Sequence, residues 1–156
     1  MRIIKLTLSV ICIVTALTSK GQLATLNKFS SFVGKNYKIP DTIKYDCNWN
    51  YAIVKCTIRN NVIVKYECVN NVTKQLSDSF KYLIGYKFNG VFNHNLLFYL
   101  SFDNIAVCKP NGSDRRYLPN EVLKDVSNYM NHERAKDRHL IVLPEPIILG
   151  YAPQQH

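Results

Sequence analysis

The chain has 156 residues, 20 Lys and Arg against 11 Asp and Glu, a formal charge of +9, and 47% hydrophobic residues. That length and apolar content suit one folded domain and argue against a disordered polymer or a multidomain chain. The positive balance permits attraction to nucleic acid, anionic glycans or acidic lipid, singles out none of them, and suits a plain solvated surface equally well.

The first segment reads as an export signal. Arg2 and Lys5 precede an apolar run over residues 6–17, and Ser19-Lys20-Gly21 offers small residues ahead of Gln22. The run is shorter than the roughly 20 residues a membrane-spanning helix needs, and no second run of that length follows. The expected organisation is a signal peptide over residues 1–21, a lead-in over 22–46, one α+β domain over 47–143, and a Pro-containing extended tail over 144–156. With Arg2, Lys5 and Lys20 removed, the charge becomes +6. Secretion and the absence of a transmembrane anchor are the resulting expectations.

In the lead-in, Phe29, Phe32, Val33, Tyr37 and Ile39 are scattered anchors before Pro40, with at most one short strand. Residues 52–59 and 62–69 are β-branched runs joined by Asn60-Asn61, a pair that tolerates the positive φ of a two-residue hairpin. A regular ladder sets Thr57 opposite Val64 and Ile53 opposite Cys68. Cys68 then lies on one face, and Cys56 on the other with Val54, Ile58 and Ile63.

A helix is expected next, capped by Asn70 or Asn71, with Val72, Leu76, Phe80, Leu83 and Ile84 at helical spacing and Gly85 at its end. Asn89-Gly90 marks a turn. Residues 96–102 and 105–108 read as paired strands about Asp103-Asn104, followed by a loop over residues 109–113. A second helix starts at Asn120, with Val122, Leu123, Val126, Tyr129 and Met130 on one face. Residues 140–143 are a short strand, and Pro144, Pro146 and Pro153 keep the tail extended. The order predicts an α+β fold with a mainly antiparallel sheet and two helices.

After signal removal four cysteines remain: Cys47, Cys56, Cys68 and Cys108, at spacings of 9, 12 and 40 residues. An even number in an exported small domain predicts disulfide stabilisation. The opposite faces of Cys56 and Cys68 argue against a bond between them, so each is expected to pair with Cys47 or Cys108. No Cys-x-x-Cys pair is present, and neither a metal site nor a cofactor is expected. Asn71-Val72-Thr73 and Asn111-Gly112-Ser113 are glycan acceptors in a eukaryotic secretory pathway.

Candidate chemistry is sparse. No Gly-x-Ser-x-Gly elbow, phosphate-cradling glycine loop or His-Glu-x-x-His is present. His132 and His139 lie seven residues apart, two turns along one face if the helix continues, with Glu133, Arg134 and Arg138 nearby; the alternative is a solvated charged segment. His94, between Asn93 and Asn95, reads as a turn residue. Arg115 and Arg116 offer guanidinium groups to phosphate, a dibasic cleavage point, or a structural ion pair. Trp49 and Tyr45 offer rings for stacking or for the core.

Tyr66-Glu67-Cys68 ahead of a capped helix, Phe88-Asn89-Gly90-Val91-Phe92, the aromatic strand over residues 96–100 and Gly112-Ser113-Asp114-Arg115 together resemble the RNase-like secreted effectors of powdery mildew fungi. Those proteins are built on the fungal guanyl-specific ribonuclease scaffold. The resemblance covers residues 66–132 and implies a catalytic arginine at Arg115 and a histidine nearest His132. The family's strand glutamate falls near Phe98, and no histidine precedes Gly90, so the resemblance implies a scaffold without its general base. The resulting expectation is a secreted, effector-like, non-catalytic protein engaging a host or extracellular partner, or an anionic ligand such as RNA. The alternatives are a secreted ribonuclease or other small hydrolase using His132 or His139 with Arg115, and a lipid carrier with a β-rich pocket.

Overall fold

The computed structural model describes residues 21–44, 51–103, 119–143 and 145–150. Within them lie four α-helices and a five-stranded, mostly antiparallel sheet. The α+β expectation holds, with two more helices than expected. No described helix is long and apolar enough to cross a membrane. Of the expected signal peptide, residues 1–20 lie outside the described residues.

Helix α1 occupies residues 21–36, where the sequence suggests an irregular lead-in. Leu26, Phe29 and Val33 recur at spacings of three and four, which puts them on one helical face. All three are buried in the principal core. Pro40 then opens a single turn, α2 (Asp41–Lys44).

Strands β1 (Tyr51–Arg59) and β2 (Val62–Cys68) form the expected hairpin. Asn60 and Asn61 have φ of 50° and 65°, the pair of positive values that matches a two-residue turn to strand twist. The register departs from the regular ladder. Arg59 faces Val62 and Ile58 faces Ile63, but Thr57 faces Lys65, so Val64 is an extra residue, a β-bulge. Ile63 is fixed inward because its N–H and C=O both bond the 85–86 segment, at 3.0 and 2.9 Å. The extra residue flips everything after it: Cys56 faces Tyr66 and Val54 faces Cys68. The two cysteines therefore share a face, which corrects the opposite-face expectation. Both are free thiols.

Helix α3 (Lys74–Asp78) is shorter than expected and is followed by a 3₁₀ turn at Lys81–Leu83. Its cap is Thr73, whose hydroxyl accepts from the Leu76 N–H at 3.2 Å, not Asn70 or Asn71. Asn70 is instead buried against β1, accepting from Ile53 N at 2.8 Å and donating to Tyr51 O at 3.2 Å. Leu76, Phe80 and Leu83 are buried as the periodicity predicts; Ile84 is exposed.

Strand β3 (Leu96–Asp103) is central. It pairs antiparallel with β1 on one edge. On the other it pairs parallel with β4 (Ile141–Val142) and then with β5 (Ile147–Gly150). The expected partner strand, residues 105–108, lies outside the described residues, and the far edge of β3 is taken by β5 at Leu100 and Ser101. Strand β5 brings residues 147–150 of the expected extended tail into the sheet, and α1, from the expected lead-in, packs into the same core.

The continuous apolar run of β3 is explained by burial on both faces. On one face an aromatic core gathers Phe29, Phe80, Phe88, Phe98 and Phe102, with Phe29 edge-on to Phe98 at 5.5 Å. On the other, α4 (Pro119–Lys136) packs Val126 and Met130 against Ile53, Leu97, Tyr99 and Leu140.

Candidate functional site

Alternation along β1 puts Lys55 on the α4 face with Ile53. A lysine there needs a counter-charge, and α4 supplies Glu133, itself only 7% exposed. Glu133 Oε2 accepts from Lys55 Nζ at 3.0 Å, and Oε1 accepts from Lys136 Nζ at 2.8 Å. The hydrogen bond from Lys136, then that from Lys55, holds the Glu133 carboxyl below its ordinary range against the opposing cost of burial.

One turn on, α4 ends and Asp137 joins the helix to the β4 entry. Its Oδ2 accepts from Asn95 Nδ2 at 2.8 Å, and its Oδ1 from the His139 N–H at 2.9 Å. Its carboxyl too is held low, chiefly by the Asn95 bond. His94 Nδ1 lies 3.2 Å from His139 O, and the two rings stand 6.2 Å apart. Asn95, at the head of β3, receives the Ile141 N–H at 2.8 Å. These side chains meet because parallel β3–β4 pairing brings segments some 40 residues apart in sequence side by side.

The expected sites fare differently. His132 is exposed on α4, and because the helix stops at Lys136, the seven-residue spacing does not place His139 two turns further along the same face. His139 partners His94 instead. Asn71 is exposed in the loop before α3, accessible to a glycan. Tyr45, Cys47 and Trp49 fall in residues 45–50, and Cys108, Asn111, Arg115 and Arg116 in residues 104–118, all outside the described residues. Burial pushes the Cys56 thiol up to about 12 and raises that of Cys68, so neither is an activated nucleophile.

A different kind of surface lies on α1. An open depression of about 400 Å³ is lined by Asn27, Lys28, Ser31, Phe32, Lys35 and Asn36. Lys28 and Lys35 are exposed and two turns apart. Sequence reading passes over this stretch because it does not recognise the helix. Lys55 and Asp137 are missed as well, and Glu133 and Asn95 are noted only as neighbours of histidines. A lysine inside the β-branched run of β1 and the Asp137-Arg138-His139 turn signature were the available signals.

Fold and surface together define an α+β protein with a mostly antiparallel sheet covered by helices on both faces and a cation-lined depression on α1. Comparison with protein-family profiles, characterised proteins and solved structures finds no match to the chain.

Proposed function

We propose that this is a secreted, effector-like binding protein that engages an anionic ligand, with RNA as the polyanion to test, and does not cleave it. The carrying observation is the chemistry of the α1 depression. Two lysines, neutral amides, a hydroxyl and the Phe32 ring line it, with no carboxylate or histidine among them. Such a surface attracts a phosphate backbone, with the half-buried Phe32 ring, packed on Tyr86 at 4.4 Å, as its apolar floor, but it holds no general base. The acids near His132 and His139 add to this reading. Glu133 and Asp137 are engaged in internal bonds and held ionised, which suits anchoring better than proton transfer near neutral pH.

Fluorescence anisotropy of a labelled single-stranded RNA with the purified protein, followed by gel analysis of the same sample, tests it. The expected result is salt-sensitive binding with the RNA left intact. RNA cleavage abolished by His132→Ala would establish the hydrolase reading instead, and no RNA binding at low salt would remove the RNA reading.

In this proposal export also oxidises the mature chain. Cys56 and Cys68 are diagonal neighbours across the hairpin, a relation that places Cα atoms roughly 7–8 Å apart, so a bond between them needs backbone movement. Disulfides involving Cys47 and Cys108 are therefore the expected ones, read by peptide mapping of the exported protein.

A further inference from the structure

We propose that His94 and His139 form a two-imidazole site for an exchangeable divalent transition-metal ion, with water completing its coordination. Their ring centroids are 6.2 Å apart and the planes are tilted by 31°. Two imidazoles that share one ion at nitrogen–metal distances of about 2.0–2.1 Å have centroids roughly 5–6.5 Å apart, depending on the angle at the metal. A tetrahedral ion draws the rings to the lower end of that range, about 1 Å closer than they stand, so one side chain turns to close the site.

The hydrogen bonding prepares one ligand. His94 Nδ1 lies 3.2 Å from the carbonyl oxygen of His139. A carbonyl only accepts, so a neutral His94 in this contact carries its proton on Nδ1 and leaves Nε2 as a bare lone pair. A ring N–H donated to a backbone carbonyl is the support that metal-binding imidazoles use to fix their tautomer. His139 is exposed, so its ring reorients at little cost to bring a nitrogen to the same ion.

The backbones carrying the two rings are tied together by one carboxylate. Asp137 accepts from His139 N and from the side chain of Asn95, the residue after His94. Ile141 N bonding Asn95 O closes the same junction. Asp137 also contributes negative charge beside the site. Arg138 opposes it, but is exposed and screened by water. No group of three or more His, Cys, Asp or Glu among the described residues is arranged to hold a metal. The site is therefore a two-ligand one, suited to Zn²⁺, Ni²⁺ or Cu²⁺, which favour imidazole, and not to Mg²⁺ or Ca²⁺. A bound ion would clip the head of β3 to the α4–β4 turn and stabilise the native state by mass action.

Isothermal titration of the purified protein with Zn²⁺, with Mg²⁺ as comparison, tests this. The expected result is one Zn²⁺ per chain, a Zn²⁺-dependent rise in Tm, and no response to Mg²⁺. His94→Ala and His139→Ala should each weaken Zn²⁺ binding about tenfold or more and abolish the Tm rise, while His132→Ala keeps both. Ni²⁺ added at substoichiometric amounts should broaden the imidazole NMR signals of His94 and His139 selectively. Both side chains reach the surface, so the variants should keep the wild-type circular dichroism spectrum. Zn²⁺ affinity that survives in the His94→Ala/His139→Ala double variant, or no Zn²⁺ binding by the wild-type protein, would overturn the proposal.

Discussion

On α1, Lys28 and Lys35 stand exposed beside Asn27, Ser31 and Phe32; on α4, Glu133 is buried and saturated by Lys55 and Lys136. The two helices cover opposite faces of one sheet, yet they use their charges in opposite ways. The Glu133 charge is spent within the fold, joining α4 to β1, and Asp137, just past the helix end, ties it to the head of β3. The charges on the outer face of α1 are directed to solvent and available to a ligand. Docking differs correspondingly: α1 is held by aromatic burial, and the end of α4 by directional polar bonds. Substitutions on α4 should therefore change stability without changing binding, and those on the outer face of α1 the reverse.

The largest effect is expected from the inner side of α1. Phe29 is fully buried against Tyr86, Phe88 and Phe98. Phe29→Ala should cost about 3–5 kcal/mol in urea unfolding and remove RNA binding with the platform that carries it. Retained binding in a folded Phe29→Ala protein would separate the depression from the helix's docking.

Glu133→Ala leaves the largely buried Lys55 without its carboxylate partner and should cost about 2 kcal/mol. RNA affinity should be unchanged. Replacing both partners, as Lys55→Met with Glu133→Leu, should recover much of that loss. The pH dependence follows from the depressed folded values of Glu133 and Asp137. Their contribution is complete above the ordinary carboxylate values of 4.5 and 3.8 and is lost as pH falls through the lower folded values. Acid titration of unfolding stability should show this loss, and Glu133→Gln should make it shallower. The smallest stability effect belongs to Lys28→Ala/Lys35→Ala, within about 0.5 kcal/mol, because both side chains are exposed.

Legibility in the sequence followed the range of the interaction. The Asn60-Asn61 turn, the buried spacing of Leu76, Phe80 and Leu83, and the inward Val126 and Met130 of α4 are local signals, and each was readable, though Tyr129, expected on the same stripe, is exposed. The bulge at Val64 was not, because nothing in the β-branched run marks a surplus residue; the inward direction of Ile63 is fixed by the distant 85–86 segment. That one residue reversed the reading of Cys68. Helix α1 had its spacing in Leu26, Phe29 and Val33, but Ser30, Ser31 and Gly34 are weak helix formers that diluted it. Strand β5 follows Pro146, so its pairing depends on the edge of β3 and not on local preference. The junction of His94, Asn95, Asp137 and His139 was invisible for the same reason: it exists only once parallel β3–β4 pairing is made.

The binding account is tested most directly by the salt dependence of RNA affinity in wild type and Lys28→Ala/Lys35→Ala. Each cation that contacts a phosphate of single-stranded nucleic acid adds about 0.7 to the slope of log affinity against log salt. The double variant should therefore bind more weakly, with a slope shallower by about 1.4, at unchanged Tm. An identical slope and affinity in wild type and variant would contradict the assignment of the α1 depression as the binding surface.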